Sequence, residues 1–211
     1  MVSKYNLVNS SDILKAYTRE YTVKDFKEYC LRQTEIVTLS KSLNLVIEEA
    51  VNKIASRMKR GGKLLFCGNG GSAAEAQHLA AELMGRFNYD RSPLPSLALT
   101  VDTSALTAIS NDYGYEHVFS RQLNGIANAN DTLVSLSASG NSTSVINAIR
   151  AAKEQNILTV TLLGGDGGEA GGLSDIDVTI ESTETYFIQE LHLMIGHYIC
   201  YQLEKKLCNR L

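Results

Sequence analysis

From residue 63 to the end of the chain, short apolar runs trade places with stretches of helical periodicity, and this alternation constrains the fold more than any other feature. The spacing predicts strands over 63–67, 96–101, 132–136, 157–163 and 175–180, with helices over 72–86, 142–155 and 184–207 and a helical turn plus helix over 103–127. Strands joined by helical crossovers lie parallel, and a parallel sheet needs both faces covered. Ahead of it, Ser11 to about Arg60 reads as helical: Leu31, Ile36, Leu39, Leu43, Val46, Ile47, Val51 and Ile54 recur at threes and fours until Gly61-Gly62 stops the pattern. A chain of 211 residues, 44% of them hydrophobic, suffices for one sizeable core. The expected architecture is α/β: a parallel five-stranded sheet flanked by helices over 61–211, preceded by a helical segment over 1–60, the whole forming one structural unit.

Two of the predicted strands run into Ser/Gly turns that open helices. They are Gly68-Asn69-Gly70-Gly71-Ser72 and Ser137-Ala138-Ser139-Gly140-Asn141-Ser142-Thr143. Free amides and the positive end of the dipole favour an anion at such a helix start. In open parallel sheets, ligands sit outside the carboxyl ends of the strands, so both turns fall where one site would form. Gly68-x-Gly70-x-x-Ala73 is a formal but weak match to the dinucleotide fingerprint, with Asp102 as the ribose acceptor. The hydroxyls of Ser137, Ser139, Ser142 and Thr143 suit a terminal phosphomonoester better. The competing reading is that these serines cap a helix, for which one or two would suffice. Gly164 to Gly172 reads as a loop at a strand end, either a lid or a tolerant turn.

Ionisable residues then cluster on two helices. His78 and Glu82, at i and i+4, share one face of the helix after the first turn, suited to catalysis or to a metal. The last helix carries Gln189, Glu190, His192 and His197 among core-type residues. Gln189 and His197 are eight residues apart, roughly 12 Å of rise, so one centre using both requires long side chains, a bend or two subunits. Gly196 permits either a bend or close packing.

These residues fall in motifs: Cys-Gly-Asn-Gly-Gly-Ser (67–72), Gln-His-x-Ala-Ala-Glu-Leu-x-Gly-Arg (77–86), Thr-Ala-Ile-x-Asn-Asp-Tyr-Gly (107–114), Phe-Ser-Arg-Gln (119–122), Ser-x-Ser-Gly-Asn-Ser (137–142) and Ile-Gln-Glu-x-His (188–192) with His197. Through them the chain, from Gly62 to Leu203, resembles the phosphoheptose (sedoheptulose 7-phosphate) isomerases of the sugar isomerase (SIS) domain group. The resemblance implies that Ser72, Ser137, Ser139 and Ser142 hold the sugar phosphate, with Gly70, Gly71 and Ala138 in the same turns. It implies Asn69 and Asp112 near the sugar hydroxyls, Arg86 nearby, and Glu82 and His197 as the proton-transfer pair with Gln189 beside them. Some members bind zinc through positions matching His78, Glu82, Gln189 and His197, so catalysis and metal binding compete for the same side chains. The resemblance further implies a homotetramer in which the N-terminal helices make oligomer contacts. Two positions depart from the pattern: Ala138 where Thr is usual, and Phe187 where an Arg commonly stands.

The expected ligands are therefore sedoheptulose 7-phosphate and zinc. A net charge of -3 and a pI near 5.8 argue against nucleic acid and anionic membranes as partners. Cys30, Cys67, Cys200 and Cys208 lack metal or disulfide spacing, and no signal or spanning segment is evident, so a cytoplasmic protein is expected. A sugar-phosphate-sensing or replication-initiator-binding adaptor of the same fold is the main alternative; Glu82 together with His197 favours the enzyme. A nucleotide-dependent oxidoreductase would rest on the weak glycine fingerprint alone.

Overall fold

The structure is a computed structural model and describes residues 23–208; the helical reading over 11–22 lies outside them. Helices α1 (Phe26–Leu39) and α2 (Asn44–Lys59) are separated by one 3-10 turn, Ser40–Leu43. There follow β1 (Leu64–Gly68), α3 (Gly71–Met84), β2 (Ser96–Ala98), α4 (Thr103–Tyr113), α5 (Val118–Ile126) and β3 (Thr132–Ser137). The chain ends with α6 (Thr143–Glu154), β4 (Leu158–Gly164), β5 (Ile176–Ile180) and α7 (Thr185–Leu207). All five strands are parallel, in the order β2-β1-β3-β4-β5. The chain leaves β1 for β2 on one side and then returns past it to β3 on the other, so a crevice opens between the carboxyl ends of β1 and β3.

The strand sequences explain this layering. β1, β3 and β4 are buried along their whole length, as sheet-interior strands with helices on both faces must be. Their side chains alternate between two cores. Leu64, Phe66, Leu136 and Leu162 pack with α2, α3 and α7, while Leu65, Cys67, Leu133 and Leu163 pack with α5 and α6. Each fully buried Leu or Phe contributes roughly 1.5–3 kcal/mol, so α2, with Val51 and Ile54 buried, is part of the sheet's cover. At the amino-terminal edge the buried Asp131 carboxylate accepts from the Lys63 and Asn128 N–H groups and from Lys63 Nζ, which fixes how β1 and β3 start.

Three departures from the periodicity have local causes. β2 stops at Ala98: Leu99 N–H still bonds the Phe66 carbonyl, but β1 then turns at Gly68 and offers no further partner. The helical turn plus helix expected over 103–127 are two full helices, α4 and α5, divided at Gly114, whose φ of 94° no helix accommodates. α3 ends at Met84, where the Arg91 guanidinium takes the carbonyls of Glu82, Leu83 and Gly85. The glycine-rich 164–172 stretch is the β4–β5 crossover, and it packs on the second Ser/Gly turn. Ala170 N–H donates to the Gly140 carbonyl, and a Cβ on Gly140 would stand 1.9 Å from the Gly167 oxygen.

Candidate active site

Both Ser/Gly turns lie at the β1/β3 crevice. Gly70 is the residue before α3, with a φ of 57°, and makes no side-chain cap. Ser142 holds the same position before α6, and its hydroxyl does not cap that helix either. The amides at both helix starts are thus free of side-chain acceptors. Instead, the Asn69 amide nitrogen donates to Ser142 Oγ at 2.6 Å and to Ser144 Oγ at 3.0 Å, joining the two turns. Tyr115 Oη donates to Asn69 Oδ1 at 2.7 Å. A cavity of about 390 Å³ opens there, lined by Asn69, Tyr115, Glu116, Ser142, Thr143 and Ser144. Ser72 and Ser137 are buried and do not line it, whereas Ser139 is exposed and accepts from the Asn141 N–H. Ser144 and Tyr115 carry no motif weight of their own; only their proximity to Asn69 identifies them.

A second group forms where α3 and α7 run side by side in the same direction. His78 Nε2 lies 2.8 Å from His197 Nε2 and 3.3 Å from Glu82 Oε1. One candidate ligand atom from each of the three residues lies within 4.8 Å of the others. Two imidazole nitrogens and a carboxylate oxygen gathered this way are donors of the kind that hold a metal ion. Phe87 stacks on the His197 ring with 5.8 Å between centroids. Partial burial, followed by the neighbouring His78, pushes the His197 pKa down, and Glu82 opposes the shift. His197 is therefore neutral near pH 7, able to accept a proton or to ligate.

Gly196 explains the close approach. A Cβ there would fall 2.5 Å from Leu79 Cδ1, so the glycine serves packing between α3 and α7. Gly196→Ala is expected to force the helices apart at a cost of about 1–3 kcal/mol and to separate His197 from His78. Thermal unfolding that matches the parent within 1 °C, as an order of magnitude, would refute this.

Among the described residues, no hydrogen bond joins the remaining predicted positions to either group. Gln189 packs its amide over Gly71, two helical turns before His197. Asp112 is exposed near the end of α4 and accepts from Asn111 Nδ2. Arg86 is exposed just past α3, and half-buried Ala138 sets its carbonyl against Gly164. Phe187, at the position expected to hold an Arg, is fully buried in the core. The two histidines of α7 have different environments. His192 is buried, Nε2 donating to the Leu163 carbonyl at 3.1 Å, and burial lowers its pKa to about 4.

Among other proteins, the pattern defining the SIS domain matches residues 28–164. Phosphoheptose isomerase of Sulfurimonas denitrificans is 47% identical over 196 residues, covering 92% of this chain and 97% of the relative. The Aneurinibacillus thermoaerophilus phosphoheptose isomerase is 45% identical over 183 residues, 87% of this chain and 92% of its own. Among solved structures, the Neisseria gonorrhoeae phosphoheptose isomerase superposes with a TM-score of 0.79 at 35% identity, covering 93% of this chain and all of that one. The Francisella tularensis phosphoheptose isomerase gives 0.81 at 29% identity, covering 94% and 100%.

Proposed function

The chain belongs to the SIS domain family, and from that premise we propose that it is an aldose–ketose isomerase converting D-sedoheptulose 7-phosphate to D-glycero-D-manno-heptose 7-phosphate for bacterial surface heptose. The observation that carries this reading is the meeting of His78, Glu82 and His197, 119 residues apart between the two histidines, on the helix that begins at the Ser/Gly pocket. Six residues of α3, roughly 9 Å of rise, separate Ser72 from His78, a span an extended seven-carbon phosphate covers.

In this reading Ser72, Ser137, Ser139 and Ser142, with the free amides of α3 and α6, bind the phosphate. Gly70, Gly71 and Ala138 belong to the same turns, Asn69 and Asp112 border the sugar hydroxyls, and Arg86 lies nearby. Glu82 takes the proton from C1 as the enediol forms and, as the carboxylic acid, gives a proton back at C2, which restores the carboxylate. His197, neutral at the start, accepts the proton leaving one oxygen and delivers it to the other. Zinc bound by His78, Glu82 and His197 would instead polarise the substrate oxygens as a Lewis acid, occupying the lone pairs that Glu82 and His197 otherwise use as bases, so the two roles compete for these side chains. Gln189 is the outlying member of that set and reaches it by swinging away from Gly71 or from a neighbouring copy of the chain. Incubating the purified protein with sedoheptulose 7-phosphate should yield the aldose; absence of product with and without added zinc would end the proposal. Elemental analysis should find about one zinc per chain, and full turnover after exhaustive chelation would remove the metal from the reading.

The assembly proposed is a homotetramer in the cytoplasm. Phe26, Leu31 and Leu45 on α1 and α2, with Met194 on α7, are more than half exposed and would be covered by other copies. A monomer mass by light scattering at micromolar concentration would refute it. No described helix is long and apolar enough to cross a membrane.

A further inference from the structure

The Asn69 side chain has little capacity left for a ligand. Its two amide hydrogens go to Ser142 and Ser144, and its oxygen accepts from Tyr115. This arrangement has two possible hydrogen-bond polarities. In one, Tyr115 donates to Asn69 Oδ1 and the amide donates to both serines, so Ser144 is able to donate to Ser142 Oγ and the Ser142 proton is left free. In the other, the amide is turned over, both serines donate into Oδ1, and their protons are consumed. Only the first polarity lets Ser142 donate to an anion in the pocket. We propose that Tyr115 is a positioning residue for the phosphate ester, acting through Asn69 to aim the Ser142 hydroxyl proton into the cavity between the two turns.

The proposal rests on the pocket being the phosphate site, and three features of the pocket support the role. Tyr115 sits on the 3-10 turn that follows Gly114, and the break there carries its hydroxyl across the crevice to a residue 46 positions earlier. The neighbouring Glu116 folds its carboxylate back over Gly114, where a Cβ would meet Glu116 Oε2 at 2.5 Å, and its carbonyl accepts from Asn147 Nδ2. Ser144 is buried against the same amide, and its oxygen lies 3.2 Å from Ser142 Oγ, so the pair shares one orientation. In this arrangement Asn69 acts on the phosphate through Ser142.

The test is a double-mutant cycle on the full chain, with inorganic phosphate as competitive inhibitor and sedoheptulose 7-phosphate as substrate. Tyr115→Phe should raise both the phosphate inhibition constant and KM about tenfold, the scale of a weakened hydrogen bond to a charged group, with a much smaller change in kcat. Ser142→Ala should weaken phosphate by at least as much, and the double variant should bind phosphate no more weakly than Ser142→Ala alone. Independent, multiplying losses would overturn the proposal, because Tyr115 would then act without Ser142. Weakened phosphate in Ser142→Ala with none in Tyr115→Phe would sink the positioning role alone. Unchanged phosphate inhibition in both would sink the pocket reading as well. Unaltered thermal unfolding of Tyr115→Phe excludes a merely structural loss, and a large drop in stability instead counts against the role.

Discussion

Glu82→Gln is expected to keep substrate affinity near that of the parent while lowering turnover by roughly two to four orders of magnitude, the usual worth of a positioned acid or base. His197→Asn should lose activity on the same scale. The two losses differ in kind. In deuterated water, the group that removes the C1 proton is needed for any exchange at C1 of the ketose, whereas a group moving protons between oxygens after the enediol forms is not. Glu82→Gln should therefore abolish exchange, and His197→Asn should retain more exchange than turnover. Parent-like exchange and turnover in Glu82→Gln would transfer the base role elsewhere. Because Glu82 Oε1 and His197 Nε2 both face His78 Nε2, zinc content is measured on each variant, so that a lost metal is told apart from a lost base.

The second large effect concerns stability. Glu204 is fully buried near the end of α7, and its carboxylate accepts from Arg91 Nε at 3.0 Å and from the N–H of Asn88 and Tyr89. Burial raises its pKa, but those donors outweigh it, and the net direction is down. Glu204→Ala leaves Arg91 buried without its counter-charge, which costs on the order of 3–5 kcal/mol, or a melting temperature lower by roughly 6–20 °C. Since the folded-state pKa is depressed, the stabilisation is complete above the ordinary Glu range and is lost as pH falls through the folded value. Parent protein should show this acid loss at Glu204, and the variant should lack that component. Urea unfolding of both proteins at neutral and acid pH measures the difference; an equal pH dependence would refute the assignment. Arg91 also holds the last carbonyls of α3, so the variant should lose isomerase activity on mild warming before it unfolds.

Much of the sheet was legible because interior strands have a plain signature: Leu64 to Gly68 and Thr132 to Ser137 are uninterrupted buried runs ending in turn residues. The end of β2 was not, since it depends on where its neighbour turns rather than on Leu99 to Val101 themselves. His78 with Glu82 could be paired by helical spacing, but whether His192 or His197 joined them depended on which face of α7 meets α3. Gly196 decides that face, and a glycine in a helix has several readings until its neighbour Leu79 is known. The Ser142 hydroxyl was readable as either cap or anion ligand, and the Asn69 bond to it removes the cap. Tyr115 and Arg91 went unseen because nothing local distinguishes an exposed tyrosine or a loop arginine from its peers; their partners are 46 and 113 residues away.

The side-by-side course of α3 and α7 also bears on how the molecule is made. The Ser/Gly turns and the strands that carry them are complete in the chain by residue 143, yet His197 follows only 54 residues later. A growing chain thus carries both Ser/Gly turns for some fifty residues of elongation before His197 is added, and domains settle as units once their far segments emerge. Until α7 docks, His78 and Glu82 face no imidazole and one face of the sheet lacks the cover of Phe187, Leu191, Ile195 and Ile199, so the proposed pocket and the histidine pair are completed by the same packing step.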